Sequence, residues 1–149
     1  RLISPMPSNI LPQIYRPSLR TVYELPLYAC PVSAGFPSPA EDYLEGKLDL
    51  NQYLVKHPAA TFFVRVTGDS MIGAGIHAGD ILIVDRSLEA RDSKVVIAVV
   101  NGELLVKRLR MEKKRIYLAS ENPDYPPLVI TDLMDFEVWG VVTNVIHPL

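Results

Sequence analysis

The sequence has a single cysteine, Cys30, in 149 residues. One thiol excludes a disulfide within the chain and fits a reducing compartment, so we expect a cytoplasmic protein. The longest apolar run, Val95–Val100, has the length of a strand and falls far short of the ~20 residues that a membrane helix needs. The first residues show no charged segment followed by an apolar one, so we expect neither a secretory signal nor a membrane partner.

The sequence also has no surplus of positive charge. It carries 15 basic and 17 acidic residues and a net charge of −2. Because phosphate backbones are bound by basic surfaces, we expect little direct nucleic-acid binding. The three histidines, His57, His77 and His147, are not spaced with Cys30 as zinc ligands are. We therefore expect no metal site and no cofactor.

The prolines are unevenly distributed, with six of the 13 in the first 31 residues. Proline is excluded from helix interiors and from central strands. Residues 1–34 are therefore predicted to form an extended arm, with one short edge strand near Val22–Tyr28. Residues 35–149 are predicted to form one core domain.

The second part of the chain contains short apolar, β-branched runs bounded by Gly, Asp, Asn or Pro. This pattern is typical of antiparallel hairpins, and Asn101-Gly102 is its strongest turn signal. We predict a mostly β, antiparallel fold with one or two short helices, one of them over Asp49–Val55 with Asp49 as its cap. The predicted strands of the core are Thr61–Val66, Ile81–Val84, Val95–Val100, Glu103–Met111, Arg115–Ala119, Leu128–Ile130 and Phe136–Ile146.

Two side chains could carry chemistry. Ser70 follows Gly68-Asp69 in a turn, where a hydroxyl is exposed and neighbouring backbone N–H groups can point at an oxyanion. Such a serine is more often a simple turn or cap residue. Strand alternation places Lys107 on one face with Leu105 and Leu109, where loss of solvent favours the neutral amine that a general base requires. The competing interpretation is a lysine that extends its amine into water at a sheet edge.

The bond between Ala34 and Gly35 is a third feature. Small residues flank it in a proline-rich segment, and proteases bind their substrates as extended strands. Glycine at position 35 also allows a close approach of the backbone. The alternative is an ordinary flexible linker.

Taken together, these features resemble the LexA/UmuD family of self-cleaving serine peptidases, across roughly residues 27–146. The shared motifs are Gly68–Met71, Gly79–Asp85 and Val106–Leu109. Further segments resemble the UmuD-type members of the family in particular. These segments are Ser33–Ala40, Asp49–Asn51 and His57–Val64.

The resemblance implies a homodimer with a curved, mostly β core. It implies Ser70 as nucleophile, Lys107 as neutral general base, and an oxyanion hole formed by the backbone N–H groups of Ser70 and Asp69. The cut would fall between Ala34 and Gly35 and would be promoted by the RecA filament on single-stranded DNA. The shortened product would serve a UmuC-type polymerase in error-prone translesion synthesis during the SOS response.

Two alternatives stay open. One is the peptidase domain of a LexA-type repressor without its DNA-binding region. Residues 1–34 show no amphipathic helical period from which a helix-turn-helix could form, which disfavours that interpretation. The other is a non-catalytic interaction module on the same fold, in which Ser70 and Lys107 are present but inert.

Overall fold

The structure, a computed structural model, describes residues 14–19, 21–28 and 44–149. The chain forms two compact units: one is His57–Leu149 together with the segment that ends at Pro17, and the other is Ser18–Lys56. The predicted boundary between an arm of residues 1–34 and a core of residues 35–149 lies outside the described residues and stays a prediction. Within the described residues, no helix is both long and apolar enough to cross a membrane.

The described residues are mostly β. One α-helix, α1, spans Leu50–Leu54, and short 3-10 helices span Pro58–Ala60 and Ile72–Ala74. The strands in chain order are β1 (Ile14–Tyr15), β2 (Leu25–Tyr28), β3 (Leu44–Leu48), β4 (Thr61–Arg65), β5 (Ile81–Asp85), β6 (Val95–Val100), β7 (Glu103–Glu112), β8 (Arg115–Ala119), β9 (Leu128–Val129) and β10 (Phe136–Ile146).

The unit Ser18–Lys56 contains a two-stranded antiparallel sheet of β2 and β3, followed by α1. Asp49 caps α1 as predicted, because its Oδ1 accepts a hydrogen bond of 2.9 Å from the Asn51 N–H. Strand β2 lies inside the predicted Val22–Tyr28. Strand β3 was not predicted, since Glu, Gly and Lys in its centre disfavour a strand locally and only the pairing with β2 reveals it.

The other unit holds eight described strands in one antiparallel sheet, in the order β1-β4-β5-β10-β6-β7-β8-β9. From Thr61 onward every predicted strand is confirmed to within one residue at each end. Strand β1 was not predicted, because two residues carry no periodicity and the strand exists through its pairing with β4. The predicted mostly β, antiparallel fold is confirmed.

Two tight turns fix the register of β7 on both sides. Asn101 and Gly102 join β6 to β7 with φ of 48° and 80°, the two positive values that a type I′ hairpin requires. Lys113 and Lys114 join β7 to β8 with φ of 48° and 67°. The register then places Lys107 opposite Val96 on β6, and Arg108 opposite Ala119 on β8.

Both faces of the sheet are covered by apolar side chains. Alternation along β6 shows this directly: Ile97 belongs to one buried cluster, whereas Val96 and Ala98 belong to another. Trp139 and Leu82 are among the largest buried side chains of the first cluster. The sheet therefore forms the centre of this unit, with a hydrophobic core on each side.

The sheet is also curved, as predicted. Strands β4 and β7 stand four steps apart in the sheet, which would separate them by about 19 Å if it were flat. Residues of both strands nevertheless line one cleft. The curvature of the sheet therefore produces the cleft.

Gly140, at the irregularity of β10, allows two buried strands to pack closely. A Cβ at this position would lie 2.5 Å from Val84 Cγ1 and 3.2 Å from Arg86 Cγ, and Val84 is completely buried.

We expect Gly140→Ala to lower the free energy of unfolding by about 1–3 kcal/mol, the usual cost of overpacking. Urea denaturation of the wild type and the variant measures this change in the free energy of unfolding. Glu137→Ala, on an exposed position of the same strand, should change the value by less than about 0.5 kcal/mol, and equal effects of the two changes would contradict the packing argument.

Candidate active site

Ser70 lies in a turn that follows β4, called here the Ser70 turn (Thr67–Met71). Gly68 adopts a φ of +80° in this turn, a conformation that favours glycine. The next side chain after the serine, Met71, is only 1% exposed and belongs to the first core cluster. Burial of Met71 thus anchors the turn and leaves Ser70 half-buried at the surface of the cleft.

The cleft has a volume of about 270 Å³. Ser70 lines it from the turn and Lys107 lines it from β7, so the structure brings the two predicted residues to one site. The described contacts include no direct hydrogen bond between them. Ala34 and Gly35 lie outside the described residues. Most of the remaining lining is apolar: Ile14, Val64, Val66, Leu82, Ile97, Leu104, Leu105 and Val106.

Lys107 lies half-buried among these apolar side chains. Burial lowers the pKa of its amine below the ordinary value, because water no longer stabilises the charged form, and the Glu103 carboxylate partly opposes this effect. The Lys107 Nζ donates a hydrogen bond of 2.7 Å to the Ser120 hydroxyl. It also lies 5.3 Å from the centre of the Tyr125 ring. The amine is therefore held in place from one side by Ser120 and Tyr125.

The segment Ser120–Tyr125, called here the clasp loop, binds the backbone of the Ser70 turn. The Glu121 N–H donates to the Ser70 carbonyl over 2.9 Å. The Glu121 carbonyl accepts a hydrogen bond of 2.7 Å from the N–H of Gly73, in the 3-10 helix that follows the turn. The Glu121 side chain in turn accepts a hydrogen bond from Arg108 on β7. Glu121 thus connects the turn that bears Ser70 to the strand that bears Lys107.

Two side chains of the clasp loop hold Asp69. The Asn122 amide donates to the Asp69 carbonyl over 3.0 Å, and the Tyr125 hydroxyl donates to the Asp69 carboxylate over 2.5 Å. The hydrogen bond to this carboxylate raises the pKa of Tyr125 above its ordinary value. The N–H groups of Asp69 and Ser70 donate to no acceptor within the described residues.

The sequence did not point to Ser120 or to the rest of the clasp loop. A signal for Ser120 existed, because a two-residue turn at Lys113-Lys114 places Lys107 opposite position 120 in a hairpin. No comparable local pattern identifies Tyr125, whose contact with Asp69 joins residues 56 positions apart.

A comparison with protein families assigns the chain to a family. The model of a family described as Peptidase S24-like matches residues 26–143, which include Ser70, Lys107 and the clasp loop. The chain belongs to this S24 peptidase family. The resemblance to the LexA/UmuD self-cleaving serine peptidases is thereby confirmed.

Several known proteins are similar in sequence to this chain. Protein SamA of Salmonella typhimurium is 49% identical over 122 residues, which are 82% of this chain and 84% of that protein. Protein MucA of Escherichia coli is 45% identical over 131 residues, 86% of this chain and 89% of that protein. The LexA repressor of Acidithiobacillus ferrooxidans is 42% identical over 119 residues, 78% of this chain but 58% of that protein.

The pKa of Lys107 can be measured directly. We expect NMR titration of its ¹³Cε signal to give a pKa below the ordinary ~10.4 of lysine. Glu103→Gln should lower this pKa further, since the carboxylate stabilises the protonated amine. This lowering of the pKa should correspond to about 0.2–1 kcal/mol, the usual size of a charge interaction that water partly screens. Glu112→Gln, at the exposed far end of β7, is the matched control and should leave the pKa where it was. An ordinary pKa for Lys107 would refute the effect of burial.

Proposed function

We propose that this S24 peptidase is a UmuD-type SOS-response protein that cleaves itself between Ala34 and Gly35. Ser70 is the nucleophile and Lys107 is the general base. The observation that carries the proposal is the shared cleft, in which a serine from a tight turn and a half-buried lysine of lowered pKa meet. A neutral amine in a largely apolar cleft can do what histidine does in other serine peptidases.

The first step forms an acyl-enzyme. The Ser70 Oγ attacks the Ala34 carbonyl carbon, and its proton passes to the neutral Lys107 Nζ. The carbonyl oxygen becomes an oxyanion that accepts hydrogen bonds from the N–H groups of Ser70 and Asp69. The intermediate then collapses, the bond to Gly35 breaks, and the Lys107 ammonium returns the proton to the leaving amine.

The second step releases residues 1–34. Water attacks the ester between Ser70 and Ala34, and Lys107 accepts a proton from the water. Collapse of this second intermediate frees the Ala34 carboxylic acid, and the Lys107 ammonium returns its proton to the Ser70 oxygen. The acid then releases its own proton to solvent and becomes a carboxylate. Atoms and charge balance over the two steps, and the net reaction is hydrolysis of one peptide bond.

The edge of the sheet supports binding of the substrate as a strand. Strand β1 pairs with β4 in antiparallel register, with Ile14 opposite Val64, and both of these residues line the cleft. Strand β1 is therefore the edge strand beside the cleft. A further extended segment can add to it through backbone hydrogen bonds, which is how peptidases bind their substrates. The methyl side chain of Ala34 suits the apolar walls beside Ser70.

Ser120 positions the base in this proposal. A neutral amine has two N–H groups and one lone pair, and the 2.7 Å hydrogen bond to the Ser120 oxygen occupies one N–H. The rotation of the amine is thereby restricted, so that its lone pair can face Ser70. Ser120 itself takes no part in bond making.

The wider role rests on the similar proteins. The chain is 49% and 45% identical to SamA and MucA and 42% identical to the LexA repressor, which favours a UmuD-type protein over a LexA-type repressor. We infer that the chain forms a homodimer, that the RecA filament on single-stranded DNA stimulates the cleavage, and that the shortened form works with a UmuC-type translesion polymerase.

The dyad is tested by intact mass after incubation of the purified protein at mildly alkaline pH, with and without RecA, single-stranded DNA and nucleotide. We expect a fragment that begins at Gly35. Ser70→Ala and Lys107→Ala should each slow its formation by more than about a thousand-fold, as removal of a catalytic nucleophile or base does. Ser18→Ala and Lys94→Ala, two exposed positions, are the matched controls and should cleave at the unaltered rate. A wild-type chain that stays intact even with the filament would instead indicate a non-catalytic interaction module.

Ser120→Ala tests the positioning residue. We expect a plateau cleavage rate about five- to tenfold lower, which corresponds to the ~1–1.4 kcal/mol of one hydrogen bond. The midpoint of the pH–rate profile should also move to lower pH, because the Ser120 oxygen stabilises the ammonium. Ser120→Thr, which keeps the hydroxyl, should restore both values. A slower rate with an unmoved midpoint and no rescue by threonine would show a merely structural role.

A further inference from the structure

Three potential metal ligands meet at a second place in the fold. His77 and Asp80 lie in the turn before β5, and His147 directly follows β10. The antiparallel pairing of β5 with β10, with Ile81 opposite Ile146, brings Asp80 and His147 together across 67 positions of sequence. One ligand atom from each of the three residues lies within 4.8 Å of the others.

Asp80 forms the fixed centre of this cluster. The residue is 1% exposed, and its two carboxylate oxygens face the two imidazoles. Its Oδ1 lies 2.7 Å from His147 Nδ1, and its Oδ2 lies 3.7 Å from His77 Nδ1. The Oδ2 also accepts a hydrogen bond from the His77 backbone N–H, which holds the carboxylate and the turn in one arrangement.

The His77 side chain has an unsatisfied polar atom. Its Nδ1 is buried and has no hydrogen-bond partner among the described residues, a condition that native structures rarely leave unexplained. The His77 and His147 rings lie against each other, with centres 4.5 Å apart. Two adjacent imidazoles beside one buried carboxylate thus place nitrogen and oxygen donors within 4.8 Å of one another.

We propose that His77, Asp80 and His147 bind a divalent transition-metal ion, with Zn²⁺ as the reference ion. Two imidazole nitrogens and one carboxylate oxygen are donors that suit zinc, and water completes a tetrahedral shell. Tetrahedral zinc requires its ligand atoms to lie about 3.4 Å apart. The 3.7 Å between His77 Nδ1 and Asp80 Oδ2 would therefore shorten slightly, and the 2.7 Å between His147 Nδ1 and Asp80 Oδ1 would lengthen as the ion replaces the hydrogen bond. Both rings are partly exposed, which allows this movement and leaves the ion a path from solvent.

The site is separate from the peptidase cleft, because none of the three residues lines the cleft. A bound ion would join the turn before β5 to the end of β10 and so stabilise the pairing of these two strands. The spacing of the histidines and Cys30 along the chain predicted no metal site. That spacing does not include Asp80, and it does not show which histidines the sheet brings together.

Calorimetric titration with zinc chloride tests the proposal. The protein should be the full chain without a histidine tag, carrying Cys30→Ser to remove thiol binding and Ser70→Ala to keep the chain intact. We expect one Zn²⁺ per chain and a higher melting temperature in the presence of zinc. Co²⁺ in place of zinc should give the visible absorption bands of a tetrahedral site. Because the readout does not involve cleavage, its result is independent of the peptidase proposal.

The three histidines of the chain provide the variants and the matched control. His77→Ala and His147→Ala should each weaken zinc binding by at least about tenfold, the lower limit expected for disturbing a metal site. His57→Ala removes the one histidine outside the cluster and should bind zinc as before; circular dichroism confirms that each variant is folded. Absence of zinc binding, or equal affinity in all three variants, would overturn the proposal and leave the cluster as a hydrogen-bonded His-Asp-His network.

Discussion

The register of β7 determines every contact of Lys107. Two-residue turns at both ends of the strand set this register, so Lys107 has Val96 on one side and position 120 on the other. A slip of one residue would move Lys107 to the opposite face of the sheet, away from Ser120 and Tyr125, because side chains alternate along a strand. The burial that lowers the lysine pKa is therefore a result of local turn geometry, stabilised by pairing on both sides.

The clasp loop holds the two halves of the site in fixed relation. Its backbone binds the Ser70 carbonyl, its Tyr125 binds the Asp69 carboxylate, and its first residue binds the lysine. Reactive groups positioned before the substrate arrives do not need to be ordered during the reaction, which is a large part of what active sites contribute. In the proposed mechanism, a loop without a reactive atom of its own thus contributes to the preorganisation of Ser70 and Lys107.

Much of the fold could be predicted from the sequence, because its signals are local. The strands from Thr61 onward were recognised by β-branched runs and turn residues, and Asp49 by its capping position. Ser70 and Lys107 were predicted as catalytic because their neighbours form motifs, and both line one cleft. Strand β1, the Tyr125 contact and the proximity of His147 to Asp80 could not be predicted in this way. Each of these depends on which distant segments the sheet brings together, and such pairings leave no periodic trace in a single sequence.

The position of β10 has a consequence for the order of events during synthesis. This strand follows the other seven of the sheet in the chain, yet it lies in the middle, between β5 and β6. The strand that leads into the Ser70 turn is on one side of it and the strand of Lys107 is on the other. A nascent chain therefore has no continuous sheet, and no complete cleft, until β10 has left the ribosome and inserted. Assembly of Ser70 with Lys107 in one cleft is thus among the final events of folding, and under the proposed self-cleavage a partly made chain would not yet have the site that cuts it.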